Sequence, residues 1–244
     1  MSRLDNDDRF SDPQTTNREA WANRKAWGNL EANLLFLAQT GLLAARPEIL
    51  EIGCGKGALL SRLRRQNFDA FGCDFAFDVL RSVDARLPVV AAEGDRLPFV
   101  DSSFDLLLSF DVFEHIADTE RHLREVCRVL RPGGTYAFQT PNILTNVPFE
   151  ILRTSLRFGV RNIMWSFRPP QHCALHSFWK LRRRLERSGF QTEFYSVPVV
   201  NEFFRAKVRR YAGRAGAVAL RLVNPDRWPL PIRTNFFVTA RRPL

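Results

Sequence analysis

The sequence predicts an α/β domain in which helices flank a doubly wound, mostly parallel sheet of about seven strands. Two observations carry this prediction. Short apolar runs alternate along the chain with segments whose apolar residues recur every three or four positions, which is the order of a βαβ architecture. One apolar run also ends in a glycine-rich turn, EILEIGCGKGALL, that opens a helix. A chain of 244 residues suits one such domain with insertions.

The elements follow one another as a Rossmann-like sheet requires. The run DSSFDLLLSFDV is nearly continuous in apolar character, as expected of a parallel strand covered on both faces. Asp118 is a plausible N-cap before an amphipathic helix, and Ser177 begins another that ends near Gly189. Strands are predicted at 48–52, 70–74, 88–93, within 101–112, and at 135–139, 190–199 and 234–240, and further helices at 18–45 and 58–66.

Composition indicates a globular, non-membrane protein. The chain is 45% hydrophobic and 25% charged, and no apolar run approaches the ~18 residues of a membrane span. The polar start of the chain has no apolar signal segment, which predicts a cytoplasmic protein. We expect a polar leader at 1–17 and a single domain over 18–244. The four widely spaced cysteines predict reduced, mostly buried thiols.

The net charge of +10 favours an anionic partner. Two basic, amphipathic insertions, 143–170 and 201–228, are predicted as helical lids over the substrate near the C-terminal part of the domain. A second hypothesis for the same segments is peripheral contact with anionic lipid at the inner membrane surface. Nucleic acid is disfavoured as a partner because no RNA-binding motif is recognisable. The oligomeric state is not predicted.

The glycine-rich turn fits two nucleotide ligands. Gly53-x-Gly55-x-x-Ala58 matches the dinucleotide fingerprint, whereas an acidic residue first, Glu51-x-Gly53-x-Gly55-x-Gly57, is typical of S-adenosylmethionine enzymes. Asp74, at the end of the next strand, suits either ligand because a carboxylate there can accept hydrogen bonds from ribose hydroxyls. The turn alone leaves both ligands open.

Six motifs in order resolve this choice: ILEIGCGKG, CDF, EGDRLPF, SFDLLLSFDVFEH, LREVCRVLRPGG and HSFWKLRRRLERSGF. Over roughly residues 48–190 the chain resembles the class I S-adenosylmethionine-dependent methyltransferases, in particular the small-molecule and lipid group that includes quinone-biosynthesis enzymes. The resemblance implies methyl transfer from S-adenosylmethionine, with S-adenosylhomocysteine as product, to a small-molecule or lipid-like acceptor. We expect the methylated atom to be an oxygen in preference to a carbon or a nitrogen, and we expect no metal. Methylation of RNA or protein, and a non-catalytic cofactor-binding role, are the alternatives.

The resemblance also implies roles for individual residues. The backbone of the glycine turn would hold the methionyl part of the cofactor. Glu51 would lie near the ammonium group, and Asp74 would accept hydrogen bonds from the ribose hydroxyls. Asp95 would lie near the adenine amino group, Arg96 and Leu97 would lie against the adenine ring, and Asp111 to Phe113 would line the methionine side. The complete implied set of cofactor-binding residues is Glu51, Gly53, Cys54, Gly55, Gly57, Asp74, Phe75, Asp95, Arg96, Leu97, Asp111 and Val112.

The catalytic candidates are two histidines. The methyl group of a sulfonium is already activated, so transfer requires alignment and sometimes removal of a proton from the acceptor. His172 is the stronger candidate because the family often carries a histidine about five residues before the helix that here begins after Ser177. His115 follows the fourth strand at the ligand-binding edge of the sheet. His122 is expected to be exposed to solvent, and His176 occupies a position that is commonly apolar in the family.

Overall fold

A computed structural model describes residues 30–148 and 173–244. Within these ranges the chain forms one seven-stranded sheet in the order β3-β2-β1-β4-β5-β7-β6. The first five strands are parallel, and β7 runs antiparallel to both β5 and β6. The strands are β1 Ile49–Ile52, β2 Ala70–Asp74, β3 Val89–Ala91, β4 Phe104–Phe110, β5 Leu130–Pro141, β6 Gln191–Tyr195 and β7 Asn235–Arg241.

Helices cover both faces of the sheet, as the doubly wound prediction requires. The α-helices that lie wholly within the described ranges are α1 Leu30–Thr40, α2 Ala58–Arg65, the single turn α3 Phe77–Leu80, α4 Thr119–Val129, α5 Phe178–Arg187 and α6 Glu202–Leu222. On one face, Phe36 and Leu37 of α1 pack with Leu60 of α2. On the other, Leu123 of α4 and Leu181 of α5 share a core cluster. Burial of these apolar faces stabilises the fold.

Most predicted elements are confirmed, although several boundaries shift. β2 has the predicted limits, and Asp118 caps α4 by accepting a hydrogen bond from the Arg121 backbone N–H at 2.9 Å. β5 is longer than predicted, and Ser177 occupies the N-cap of α5 without a side-chain hydrogen bond. The predicted leading helix is confirmed over α1, whereas its part at 18–29 lies outside the described residues.

The two insertions are described in part. Residues 143–148 are helical, and 149–172 lie outside the described residues. The second insertion forms α6, which is interrupted at Gly213 by non-helical backbone angles. Its predicted apolar face is not covered at Val218 and Leu222, which are 55% and 80% exposed. No helix in the described ranges is long and apolar enough to span a bilayer.

The cysteine prediction is only partly correct. All four cysteines are free thiols, and Cys54 and Cys73 are buried. Cys127 is half-buried and Cys173 is exposed, however, because α4 and the segment before α5 leave them near the surface.

Candidate active site

The glycine-rich turn lies where β1 ends and α2 begins. Gly53 and Gly55 have φ angles of +72° and +51°, a region that side chains with a Cβ rarely adopt. A Cβ on Gly53 would lie 2.2 Å from Cγ2 of Val112, so the loop after β4 packs directly on this glycine. The Gly53 backbone N–H donates to the Cys73 carbonyl at 2.7 Å, which ties the turn to β2. The turn therefore presents bare backbone at the carboxyl edge of the sheet.

Glu51 on β1 lies directly below this turn. It is only 7% exposed, and its Oε2 atom has no hydrogen-bond partner. The pKa of the Glu51 carboxyl is raised to about 8, mainly because the group is buried. The nearby Asp74 also raises this pKa, whereas a hydrogen bond from the backbone of Leu60 lowers it. A buried carboxyl oxygen without a partner is costly unless a ligand supplies a donor. The position of Glu51 therefore favours a cationic ligand group.

Asp74 at the end of β2 organises the turn. Its Oδ2 atom accepts a hydrogen bond from the Gly55 backbone N–H at 2.8 Å, and its Oδ1 atom accepts one from Ala76 at 2.9 Å. Burial raises the pKa of this carboxyl, and the same two N–H groups lower it. Each carboxylate oxygen has a further lone pair. Asp74 can therefore hold the turn and still accept a hydroxyl donor.

The loop after β4 forms the opposite wall. Asp111 has a φ angle of +57°, a sparsely populated conformation for a residue other than glycine. Its backbone N–H donates to Oε1 of Gln139 at 3.0 Å. Gln139 is fully buried on β5, and its Nε2 atom has no hydrogen-bond partner. This glutamine therefore fixes the backbone of a predicted site residue.

A small cavity joins these elements to the leading helix. It has a volume of about 30 Å³, and Glu51, Gly53 and Asp111 contribute to its lining. Asn33 of α1 also lines it, is 6% exposed, and has an Oδ1 atom without a partner. Sequence reasoning missed Asn33 and Gln139. The signal that could have found them is a side-chain amide within a largely apolar stretch, LEANLLFL and TYAFQTP.

Four further residues of the implied cofactor-binding set differ in their surroundings. Phe75 directly follows Asp74 and is 40% exposed, so its ring is free to face a ligand. Asp95 is half-buried and Arg96 exposed. Leu97 is 4% exposed and packs into the core, and its backbone N–H donates to Glu125 of α4 at 2.8 Å. The buried side chain and the backbone N–H of Leu97 therefore both hold this loop against the rest of the domain.

His115 lies in a short 3₁₀ turn after β4. Its side chain is 17% exposed, and its Nε2 atom is 4.0 Å from Oε1 of the buried Glu114. Oε2 of Glu114 accepts a hydrogen bond from Thr140 Oγ1 at 3.1 Å. The structure therefore places an imidazole beside a fixed carboxyl group at the ligand-binding edge. His172, the other catalytic candidate, lies outside the described residues.

The expected exposure of His122 is wrong. His122 is fully buried, with Nδ1 2.6 Å from the Gly94 carbonyl and Nε2 3.0 Å from the Tyr136 hydroxyl. That hydroxyl is in turn 2.6 Å from Ser109 Oγ. Burial lowers the pKa of His122 to about 4, so its ring is neutral at pH 7. This network links α4 to β4 and β5 and is part of the core.

The donor set fits S-adenosylmethionine better than a dinucleotide. The Glu51 carboxyl, whose pKa is raised to about 8, would ionise and pair with an ammonium beside it, whereas a pyrophosphate would gain no such pairing. The open backbone of the turn and the carboxylate of Asp74 suit a methionyl chain and a ribose. The described residues contain no cluster of side chains that could hold a metal ion.

A basic groove lies between α4 and α5. It has a volume of about 650 Å³, and its lining includes seven cationic side chains and one carboxylate. Arg128, Arg184 and Arg242 are held by hydrogen bonds to neighbouring groups. The structure records no hydrogen bond or ion pair for the other four within the described residues. These four are Arg124, Lys180, Arg183 and Arg187.

Comparison with known proteins identifies related chains. A methyltransferase-domain family model matches residues 50–138. The malonyl-[acyl-carrier protein] O-methyltransferase of Geobacter sulfurreducens is 30% identical over 205 residues, which is 78% of this chain and 74% of that protein. The demethylmenaquinone methyltransferase of Corynebacterium kroppenstedtii is 33% identical over 100 residues, 39% of this chain and 44% of that protein.

Two further comparisons define the extent of this similarity. The chain spans 38–40% of the length of the first curated relatives it matches, methyltransferases of Mycolicibacterium smegmatis and Mycobacterium tuberculosis. Among solved structures, phosphoethanolamine N-methyltransferase 2 of Haemonchus contortus, in complex with S-adenosyl-L-methionine, matches with a TM-score of 0.60 at 18% identity. That match covers 96% of this chain and 58% of the neighbour, and it supports the fold.

Proposed function

This chain belongs to the S-adenosylmethionine-dependent methyltransferases, and from that premise we propose that it methylates an oxygen of a small-molecule or lipid-like acceptor. The observation that carries the proposal is the unpaired, buried carboxyl of Glu51 beneath a glycine turn held by Asp74. S-adenosylmethionine is the cofactor of the family, and it supplies a methyl group already activated for transfer. The protein must therefore bind and orient the cofactor and the acceptor, and it must exclude water from them.

Each wall of the site would contribute one part of that task. Glu51 would bind the ammonium group of the cofactor. The bare backbone at Gly53 and Gly55 would contact its methionyl chain. Asp74 would accept the ribose hydroxyls with the lone pairs left free by its two backbone hydrogen bonds. Asp95 and Arg96 would border the adenine together with the exposed ring of Phe75. Asp111 and Val112 would close the methionyl side, with Cys54 and Gly57 completing the turn.

His115 is the described candidate for removing the acceptor proton. Its ring lies at the ligand-binding edge, near the carboxyl of Glu114. We expect His115→Asn to lower kcat and to remove an acidic limb from the pH–rate profile while the affinity for S-adenosylhomocysteine stays unchanged. Wild-type kcat with an unchanged pH profile would exclude this role and leave His172 as the candidate.

The acceptor class is inferred from the relatives and from α6. Oxygen is favoured because a relative that aligns over 78% of this chain is named as an O-methyltransferase. A lipid-like acceptor is supported by the similarity to a demethylmenaquinone methyltransferase and by the exposed apolar residues of α6. The insertions 143–170 and 201–228 would act as a lid within one domain over 18–244.

Methylation of RNA or of a protein is the second candidate function. The basic groove between α4 and α5 favours it, because four unpaired cations there would attract a polyanion. The groove lies on a helical face of the sheet and shares no lining residue with the cavity at Glu51. A polyanion could bind there without reaching the methyl donor, so we retain the small-molecule acceptor as the main proposal.

Two measurements test the proposed function. Isothermal titration with S-adenosylhomocysteine and, in parallel, with NAD should give micromolar binding of the former alone. Labelled S-adenosylmethionine is then offered with quinol, malonyl-thioester, lipid and RNA acceptors, and the methylated atom is identified by NMR. Binding of NAD alone would contradict the cofactor assignment, and label transfer only to RNA would establish the second candidate.

A further inference from the structure

Asn33 is an anomaly in α1. It lies within the apolar run LEANLLFL, is 6% exposed, and leaves its Oδ1 atom without a hydrogen-bond partner. Leaving a buried polar group unsatisfied costs roughly 1–3 kcal/mol. A leucine at this position would avoid that cost and would suit the apolar face of the helix. The asparagine therefore calls for a reason other than packing.

The cavity at the glycine turn supplies that reason. Asn33 and Glu51 both line it, and each has an oxygen atom without a donor. The volume of about 30 Å³ corresponds to roughly two water-sized groups. Two unpaired acceptors on residues that line one small cavity match a group with several N–H donors and no acceptor, and a protonated amine is that group.

We propose that Asn33, together with Glu51, receives the α-ammonium group of the cofactor, so that α1 closes the amino-acid end of the site. This inference rests on the proposed function and adds a residue that the glycine-turn motif does not contain. Glu51 would supply the charge. Asn33 would supply direction, because its neutral oxygen accepts a second N–H and thereby sets the orientation of the methionyl chain.

Two ligands separate this role from a general effect on the site. S-adenosylhomocysteine carries the amino-acid group, whereas 5′-methylthioadenosine has the same nucleoside and a thioether without it. In Asn33→Leu we expect the affinity for S-adenosylhomocysteine, measured by calorimetry, to fall about 10- to 100-fold, as for the loss of a hydrogen bond to a charged group. The affinity for 5′-methylthioadenosine should stay within about twofold.

A control variant and an unfolding measurement complete the test. Gln39→Leu changes an exposed polar residue of the same helix and should leave both affinities unchanged. The urea midpoint of ligand-free Asn33→Leu should equal or exceed that of the wild type, because an unpaired polar group is removed.

Three results would overturn the inference. Equal losses for both ligands, with or without lower stability, would assign Asn33 to helix packing. Wild-type affinity for both ligands would remove it from the site. If the wild-type protein binds neither ligand, both the proposed function and the Asn33 assignment are wrong. The first two results, in contrast, would overturn the Asn33 assignment alone.

Discussion

Gly53 carries the most stringent steric requirement among the described site residues. Its positive φ angle and the Val112 methyl group at 2.2 Å from a hypothetical Cβ act together. In Gly53→Ala, the left-handed conformation costs roughly 1–2 kcal/mol and overpacking against Val112 adds roughly 1–3 kcal/mol. We expect the variant to lose most of its S-adenosylhomocysteine affinity in calorimetry and to unfold at lower urea concentration.

The matched control for this change is Gly41→Ala. Gly41 has a φ angle of +63°, and no atom lies within 4 Å of a Cβ built on it. The control therefore carries the backbone strain without the clash. It should lose about 1 kcal/mol of stability and no ligand affinity. Equal effects of the two variants would show that Val112 yields and that the turn does not depend on this contact.

Glu51 should make cofactor binding depend on pH. In the free protein its raised pKa, about 8, keeps the carboxyl protonated at pH 6.5. An ammonium ligand favours the ionised form, so binding releases a proton, and the affinity for S-adenosylhomocysteine should rise between pH 6 and 7.5 by at most about tenfold per pH unit. Calorimetry in buffers of different ionisation enthalpy should give nearly one proton released at pH 6.5.

Glu51→Gln provides the control because it cannot release that proton. The ligand-free wild type should also lose stability as pH rises from about 4.5 to 8, because the folded state retains a proton that the unfolded state gives up. The glutamine variant should lack this slope. A wild-type protein that binds with no proton release at pH 6.5 would mean that Glu51 is already ionised.

The N-cap of α4 differs from that of α5 in its hydrogen bonding. Asp118 accepts a hydrogen bond from the Arg121 N–H at 2.9 Å, whereas Ser177 makes no side-chain bond to its helix. We expect Asp118→Ala to lower the free energy of unfolding by about 1 kcal/mol, measured in urea. Ser177→Ala should change it by only a few tenths. Comparable losses at both positions would contradict the assignment of the caps.

The sequence predicts the elements better than it predicts individual polar side chains. All seven strands were found because apolar runs and turn signals are local properties. The polar leader at 1–17 and the limits of the two insertions remain predictions. His122 shows the limit of periodicity. It lies on the nominally polar side of α4, yet its two ring nitrogens pair with the Gly94 carbonyl and the Tyr136 hydroxyl, which come from distant parts of the chain.

The candidate site was predictable only where a motif carries it. The glycines and the acidic residues at strand ends have fixed spacing, so Glu51 and Asp74 could be assigned from sequence. Asn33 and Gln139 come from elements without such a motif, and their roles depend on which buried atoms lack partners. Leu97 belongs to a site motif and its side chain packs into the core, and its implied place against the adenine ring stays a prediction.

Two surfaces of different character carry part of the basic charge of this chain, whose net charge is +10. α6 carries exposed Arg205, Arg209, Arg210 and Arg214 together with the exposed apolar residue Leu222. The basic groove carries the four unpaired cations, and its apolar lining residue Leu123 is buried. Contact with a lipid surface uses both charge and insertion of apolar side chains, so α6 is the better candidate for it.

Two variants that each remove four positive charges test this division. One replaces the four α6 arginines by glutamine, and the other replaces Arg124, Lys180, Arg183 and Arg187 by glutamine. Because each basic residue near an anionic membrane contributes on the order of 1 kcal/mol, the α6 variant should lose most of its co-sedimentation with phosphatidylglycerol vesicles, whereas the groove variant should retain most of it. Both should keep wild-type affinity for S-adenosylhomocysteine. Equal losses would attribute binding to net charge alone, and wild-type sedimentation of the α6 variant would exclude this helix as a membrane contact.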